Sequence, residues 1–117
     1  MFKLIRDKIP ELAKKDGKLF NYATAENDEL FSGLLRSKFA EEASEFLSSG
    51  DISELVDVLT VLKAIVKAAG VSEEDFDKLY QEKLKAKGGF EKHYIGFFPD
   101  PAPRPEVPAD QDTAENN

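Results

Sequence analysis

Two long stretches of helical periodicity, 29–48 and 52–69, are separated only by the break around Ser48-Ser49-Gly50-Asp51. Helices joined by so short a connection must fold back and pack antiparallel. That constraint brings two acidic clusters, Glu41/Glu42/Glu45 and Glu54/Asp57, face to face near one end of the hairpin. Like charges so confined repel strongly unless something cationic lies among them. A carboxylate-only set favours a hard divalent ion, Mg2+ first and Mn2+ as the alternative.

Projection at about 100° per residue sharpens the expectation. Leu30, Phe31, Leu34, Leu35, Phe39 and Phe46 share one broad face of the first long helix. Glu42 falls between Leu35 and Phe46 on that face, and Glu45 lies beside Leu34 and Phe31. Gly33, Ser37, Ala40 and Ser44, all small, occupy the opposite side. An ordinary amphipathic helix keeps its carboxylates off the apolar stripe. Burying one unpaired costs several kcal/mol, so this placement implies a metal ion or basic partners.

In the second long helix Ile52, Leu55, Leu59, Leu62 and Val66 form an apolar stripe, widened by Val58, Val61 and Ile65. Its polar arc runs through Ser53, Glu54, Asp57, Thr60, Lys63 and Lys67. Glu54 and Asp57 taken alone could be a solvated face, and they gain weight from standing at the end nearest the first cluster. Asp51 followed by Glu54 also resembles a capping box, which gives Glu54 a competing structural task.

The rest of the chain is consistent with an all-α domain. Residues 7–15 read as a short helix, with Ile9-Pro10 suited to its first turn or to a break just after it, and 18–25 as a connector with a brief extended piece at 19–22. Asn27 or Asp28 caps the first long helix. Gly70 ends the second, and Ser72 opens a fourth over 72–86 with Glu73, Glu74 and Asp75 in its first turn. Residues 94–98 suggest a short extended or packing segment, with the sole histidine, His93, a partly exposed structural residue beside it. From Pro99 onward, Pro-rich and acidic composition marks a disordered tail, so the domain is expected over 1–98 and the tail over 99–117.

Composition sets exclusions. A net charge of −7 argues against a nucleic-acid partner. With no cysteine there is no disulfide, thiol nucleophile or zinc–thiolate site. No segment has the length or apolarity of a signal peptide or a membrane span, so a soluble cytoplasmic protein is expected.

The order of motifs resembles the all-α nucleoside triphosphate pyrophosphohydrolases, the superfamily of MazG, dimeric dUTPases and phosphoribosyl-ATP pyrophosphohydrolase. Lys38 before Glu41-Glu42-Ala43-Ser44-Glu45, then Glu54-Leu55-Val56-Asp57, reproduces that superfamily's EExxE…ExxD pattern. Lys3-Leu4-Ile5-Arg6-Asp7-Lys8-Ile9-Pro10 and Lys83…Lys87-Gly88-Gly89-Phe90 look like its small stand-alone branch, the house-cleaning noncanonical NTP pyrophosphatases. The resemblance implies a four-helix MazG-like bundle around an antiparallel central hairpin. It implies metal ligation by Glu42, Glu45, Glu54 and Asp57, with Glu41 an auxiliary carboxylate that orients water or a second ion. Lys87 departs from the pattern, where arginine is expected; the charge survives but not the bidentate fork.

The implied reaction is Mg2+-dependent hydrolysis of a nucleoside triphosphate between its α- and β-phosphates, giving NMP and pyrophosphate. Lys38 joins Glu41 and Glu42 as catalytic candidates, and Lys3, Arg6, Lys8, Lys83 and Lys87 are candidates for gripping phosphate. Competing assignments are an i,i+4 pair of Lys38 with Glu42 and a surface pair of Arg6 with Asp7. An over-wide apolar second helix agrees with association into a homodimer, or a tetramer, as the resemblance implies. Phosphoribosyl-ATP pyrophosphohydrolase is the enzymatic alternative, a nucleotide-sensing module with little turnover the second, and a purely structural helical bundle the third.

Overall fold

A computed structural model describes residues 3–98 of the chain, and the expected tail over 99–117 lies outside the described residues. The protein is all-α, with four helices in the expected order: α1 (Ile9–Lys15), α2 (Asp28–Ser49), α3 (Ser53–Ala68) and α4 (Glu73–Lys87). The chain forms two compact units, Met1–Phe76 and Asp77–Asn117, with the boundary inside α4.

The first unit is built on the α2–α3 hairpin. Of the two candidate caps, Asn27 takes the position, its side chain accepting a 2.8 Å hydrogen bond from the Leu30 amide. At the other end Gly50 turns the chain with φ 69°, and its amide donates to the Phe46 carbonyl at 2.7 Å. Only a residue at ease in the left-handed region stops a helix there without strain. Asp51 then receives both the Ser53 amide and the Ser53 hydroxyl at 3.0 Å. The expected capping box between Asp51 and Glu54 is therefore not formed. The Asp51 amide is taken by Ser49 Oγ at 3.0 Å, which leaves the Glu54 carboxyl without that duty. Gly70, at φ 81°, closes α3, with the Val71 amide reaching back to the Val66 carbonyl and the Gly70 amide to Lys67. This paired arrangement is a Schellman stop.

Which faces the hairpin buries differs in part from the periodicity. Along α2, Leu35 is buried and Leu34, Phe39 and Phe46 are half-buried, with Glu42 among them as projected. Gly33, Ser37, Ala40 and Ser44 face outward, also as projected. Glu45 does not join the buried stripe; it is exposed. At about 100° per residue it lies some 80° from Leu35, on the margin of the face rather than within it. Leu30 and Phe31 are similarly marginal, at 38% and 37% exposed.

In α3 the difference is larger. The seam runs along Glu54, Val58, Val61 and Ile65, with Val61 buried and the others half-buried. The expected leading stripe turns partly away, with Ile52, Leu55 and Leu59 exposed at 71%, 38% and 48%. Antiparallel packing has selected the arc that the sequence presents as a mere widening, and that arc carries the carboxylates.

The second unit holds most of α4 and the residues after it. Ser72 caps α4 by accepting the Asp75 amide at 3.0 Å. Gly88 ends it with φ 81°. The expected extended piece over 94–98 forms no strand, and among the described residues there is none. A turn at 90–92 precedes it, in which His93 adopts φ 58° and donates its amide to the Phe90 carbonyl at 3.1 Å. Histidine is among the side chains that enter the left-handed region with least cost. The brief extended piece expected at 19–22 is also irregular, with Leu19 fully exposed.

Gly50→Ala tests the hairpin turn. A Cβ at Gly50 meets nothing within 4 Å, so the cost is conformational alone. The variant should lose about 1 kcal/mol, seen in chemical denaturation as a lower midpoint at unchanged slope.

Candidate metal centre

The hairpin turn delivers Glu42 from α2 and Glu54 and Asp57 from α3 to one place. Each offers an oxygen, and the three oxygens lie within 4.8 Å of one another. Glu54 and Asp57 stand one helical turn apart on a common face, and Glu42 stands on the facing helix. Such a set of hard oxygen donors could hold a metal ion.

The electrostatics of the cluster is uneven. Glu42 is only 9% exposed and is neutralised by Lys38, whose Nζ lies 3.3 Å from Glu42 Oε2. Lys38 Nζ also lies 3.3 Å from Glu41 Oε1, and its side chain is 16% exposed, so the ammonium is held between two carboxylates one turn away. The pairing of Lys38 with Glu42 considered from sequence is thus present, and Glu41 shares it.

Glu54 has no such relief. Its Oε1 is buried and has no hydrogen-bond partner. Desolvation above all, then the charge of Glu45 and a side-chain hydrogen bond with it, and then the charges of Asp57 and Asp51, raise its carboxyl above the usual range. Glu45 therefore acts on the cluster through its contact with Glu54, although it stands outside the group of three. A buried oxygen without a donor, among like charges, is the place where a cation gains most.

Glu41 is differently placed. Lys3 Nζ donates to Glu41 Oε2 at 2.9 Å, which, with the bond from Lys38, holds the Glu41 carboxyl below its usual range and raises Lys3. Arg6 Nη2 lies 3.3 Å from Asp57 Oδ1, a pair other than the competing surface one with Asp7. The segment before α1 thus reaches both helices of the hairpin through two of the basic residues singled out for phosphate. Nothing in the chain sequence pairs Lys3 with Glu41 or Arg6 with Asp57; their spacing of three residues was the only available signal. Lys8 stands at the N-cap position of α1, and Lys83 and Lys87 stand on α4 in the second unit.

The carboxylates stand apart from the concavities of the first unit. A crevice of about 500 Å3 between α1 and the connector is lined by Pro10, Lys14, Phe20 and Tyr22 among others. A cleft of about 100 Å3 lies by Leu35, Ile65 and Ala68. Neither includes Glu42, Glu54 or Asp57. No protein-family model, curated protein or solved structure matches this chain. Among the described residues no helix is long and apolar enough to cross a membrane.

The raised Glu54 carboxyl has a definite consequence for metal-free protein. A raised carboxyl binds its proton more tightly in the folded chain, so its ionisation opposes folding. The penalty is absent below the ordinary value, 4.5, grows as pH rises through the elevated folded value, and is complete above it. Glu54→Gln should accordingly raise the melting temperature at neutral pH in the presence of EDTA. The gain should vanish below pH 4.5 in a thermal-denaturation series.

Proposed function

We propose that the protein is a Mg2+-dependent nucleoside triphosphate pyrophosphohydrolase that cleaves between the α- and β-phosphates, releasing NMP and pyrophosphate, in the house-cleaning of noncanonical nucleotides. The observation that carries this reading is the convergence of Glu42, Glu54 and Asp57 around a buried, unpartnered Glu54 oxygen, with Lys38, Lys3 and Arg6 at its edge. The motif resemblance supports it, since these three carboxylates come from its EExxE and ExxD elements.

The donor set fits the ion. All three groups are carboxylates, the hard oxygen ligands that Mg2+ and Mn2+ prefer, with no soft donor among them. When bound, Mg2+ supplies Lewis acidity toward the phosphate oxygens. The chain's own residues supply the remainder. Glu42, Glu54 and Asp57 would hold the ion at the mouth of the hairpin. Lys38, fixed between Glu41 and Glu42, keeps the cluster from collapsing under its own repulsion. Glu41, held in its ionised form by two lysines, is a weak base but a good acceptor for orienting the attacking water. Water adds to phosphorus, the bridging P–O bond breaks, the electron pair leaves with pyrophosphate, and the water's proton is released. Lys3 and Arg6, more than half exposed while paired with Glu41 and Asp57, are the cations that would turn to the outer phosphates.

A homodimer completes the proposal. Ile52, Val56 and Leu59 leave an apolar strip on the outer side of α3, with Val56 59% exposed. Apolar side chains grouped this way on one helix are characteristic of a subunit interface.

Product analysis with Mg2+ and a panel of canonical and modified NTPs and dNTPs tests the activity. Monophosphate and pyrophosphate should appear, and Glu42→Gln or EDTA should reduce turnover at least a hundredfold. Orthophosphate as the product would refute the cleavage site. Turnover of phosphoribosyl-ATP alone, or binding of triphosphate without turnover, would favour the biosynthetic enzyme or the sensing module. Separately, Leu59→Lys should shift sedimentation from dimer toward monomer.

A further inference from the structure

Lys3 and Arg6 are placed on the wrong partners for binding phosphate. Lys3 Nζ is spent on Glu41 at 2.9 Å, and Arg6 Nη2 on Asp57 at 3.3 Å. Asp57 is one of the three carboxylates that converge on the candidate metal centre. The segment before α1 is thus fastened to α2 by one ion pair and to α3 by the other, across the acidic end of the hairpin. We propose that this segment is an intramolecular counter-ion strap, which competes with the divalent cation and is released when the cation binds.

The argument rests on the metal-binding reading above and on the geometry of the two pairs. A cation ligated by Asp57 would lie within a few ångströms of the Arg6 guanidinium, where like charges repel. The repulsion is reciprocal. Whatever Arg6 costs the ion in affinity, the ion costs the strap in occupancy. Both contacts are of the exposed kind that yields readily, with side chains 57% and 54% accessible at Lys3 and Arg6. Lys38 is the contrast. At 16% exposure, and bonded within its own helix turn to Glu41 and Glu42, it is a permanent counter-charge. The strap therefore has a defined occupant to yield to and a defined consequence. Its release leaves two cationic side chains, tethered beside the loaded ion, with no carboxylate partner. These are what a polyphosphate requires, so the exchange makes anion binding conditional on the metal.

Mn2+ binding by calorimetry, on the wild-type chain and on Arg6→Gln and Lys3→Gln/Arg6→Gln, reads the competition directly and needs no substrate. The expected result is tighter Mn2+ binding, roughly threefold in the single variant and about tenfold in the double. In the wild type, Mn2+ should also accelerate tryptic cleavage after Arg6 several-fold while leaving cleavage after Lys14 unchanged. Equal affinity in all three proteins would overturn the strap and leave the metal centre standing. Weaker binding in the variants would overturn it too, making Arg6 a positioning residue for Asp57. No Mn2+ binding by any of the three would refute the metal centre and the strap together. Binding by the variants alone would support the strap in its strongest form.

Discussion

Glu42 lies in the seam between α2 and α3, and the charge arrangement of the hairpin follows from having to keep a carboxylate there. A charge so enclosed is tolerated only with a close counter-charge, and Lys38, one turn earlier on the same helix, provides it at 3.3 Å. Because Lys38 is committed to α2, the two carboxylates facing it from α3 receive no share. Asp57 is met by Arg6 from outside the hairpin, and Glu54 keeps a buried oxygen without any donor. The seam is in this sense one positive charge short. A bundle meant only to stand would fill such a position with an apolar side chain, at a gain in stability. Retaining acids there is intelligible when a cation is the missing component.

The apolar side of the ledger is equally incomplete. Leu35 and Val61 are the only hydrophobic residues that the described structure counts as buried. Large side chains such as Leu47, Ile52 and Val56 remain outside the seam and exposed. A single hairpin cannot cover two apolar faces of one helix, because the antiparallel partner occupies only one of them. The proposed second copy and the proposed cation answer different deficits of the same unit, one of apolar contact and one of charge.

Several elements were legible in the order of residues. The four helices, the Asn27 and Ser72 caps and the glycine stops at 50 and 70 depend on local backbone hydrogen bonds and allowed dihedrals, which neighbouring residues determine. The intrusion of Glu42 into the apolar face of α2 was legible for the same reason, since it needs only helical geometry. The grouping of Glu42 with Glu54 and Asp57 needed one more step, the tight connection at Gly50. That too is local.

The remainder was settled by packing. Which arc of α3 enters the seam was open, because its apolar residues span too broad an angle for periodicity to choose, and the interhelical contact took Val58, Val61 and Ile65 over Ile52 and Leu59. Glu45 fell outside the group of three because an offset of some 80° is decisive only once a facing helix exists. The Arg6–Asp57 and Lys3–Glu41 pairs join residues 51 and 38 positions apart, a separation at which sequence carries no geometric information. Helices, their ends and the acidic mouth of the hairpin follow from the order of residues, because each is set by interactions within a few positions. The exclusion of Glu45 from the group of three, and the bases that pair with Glu41 and Asp57, came with the fold, because burial and long-range charge pairing exist only after the chain has folded back on itself.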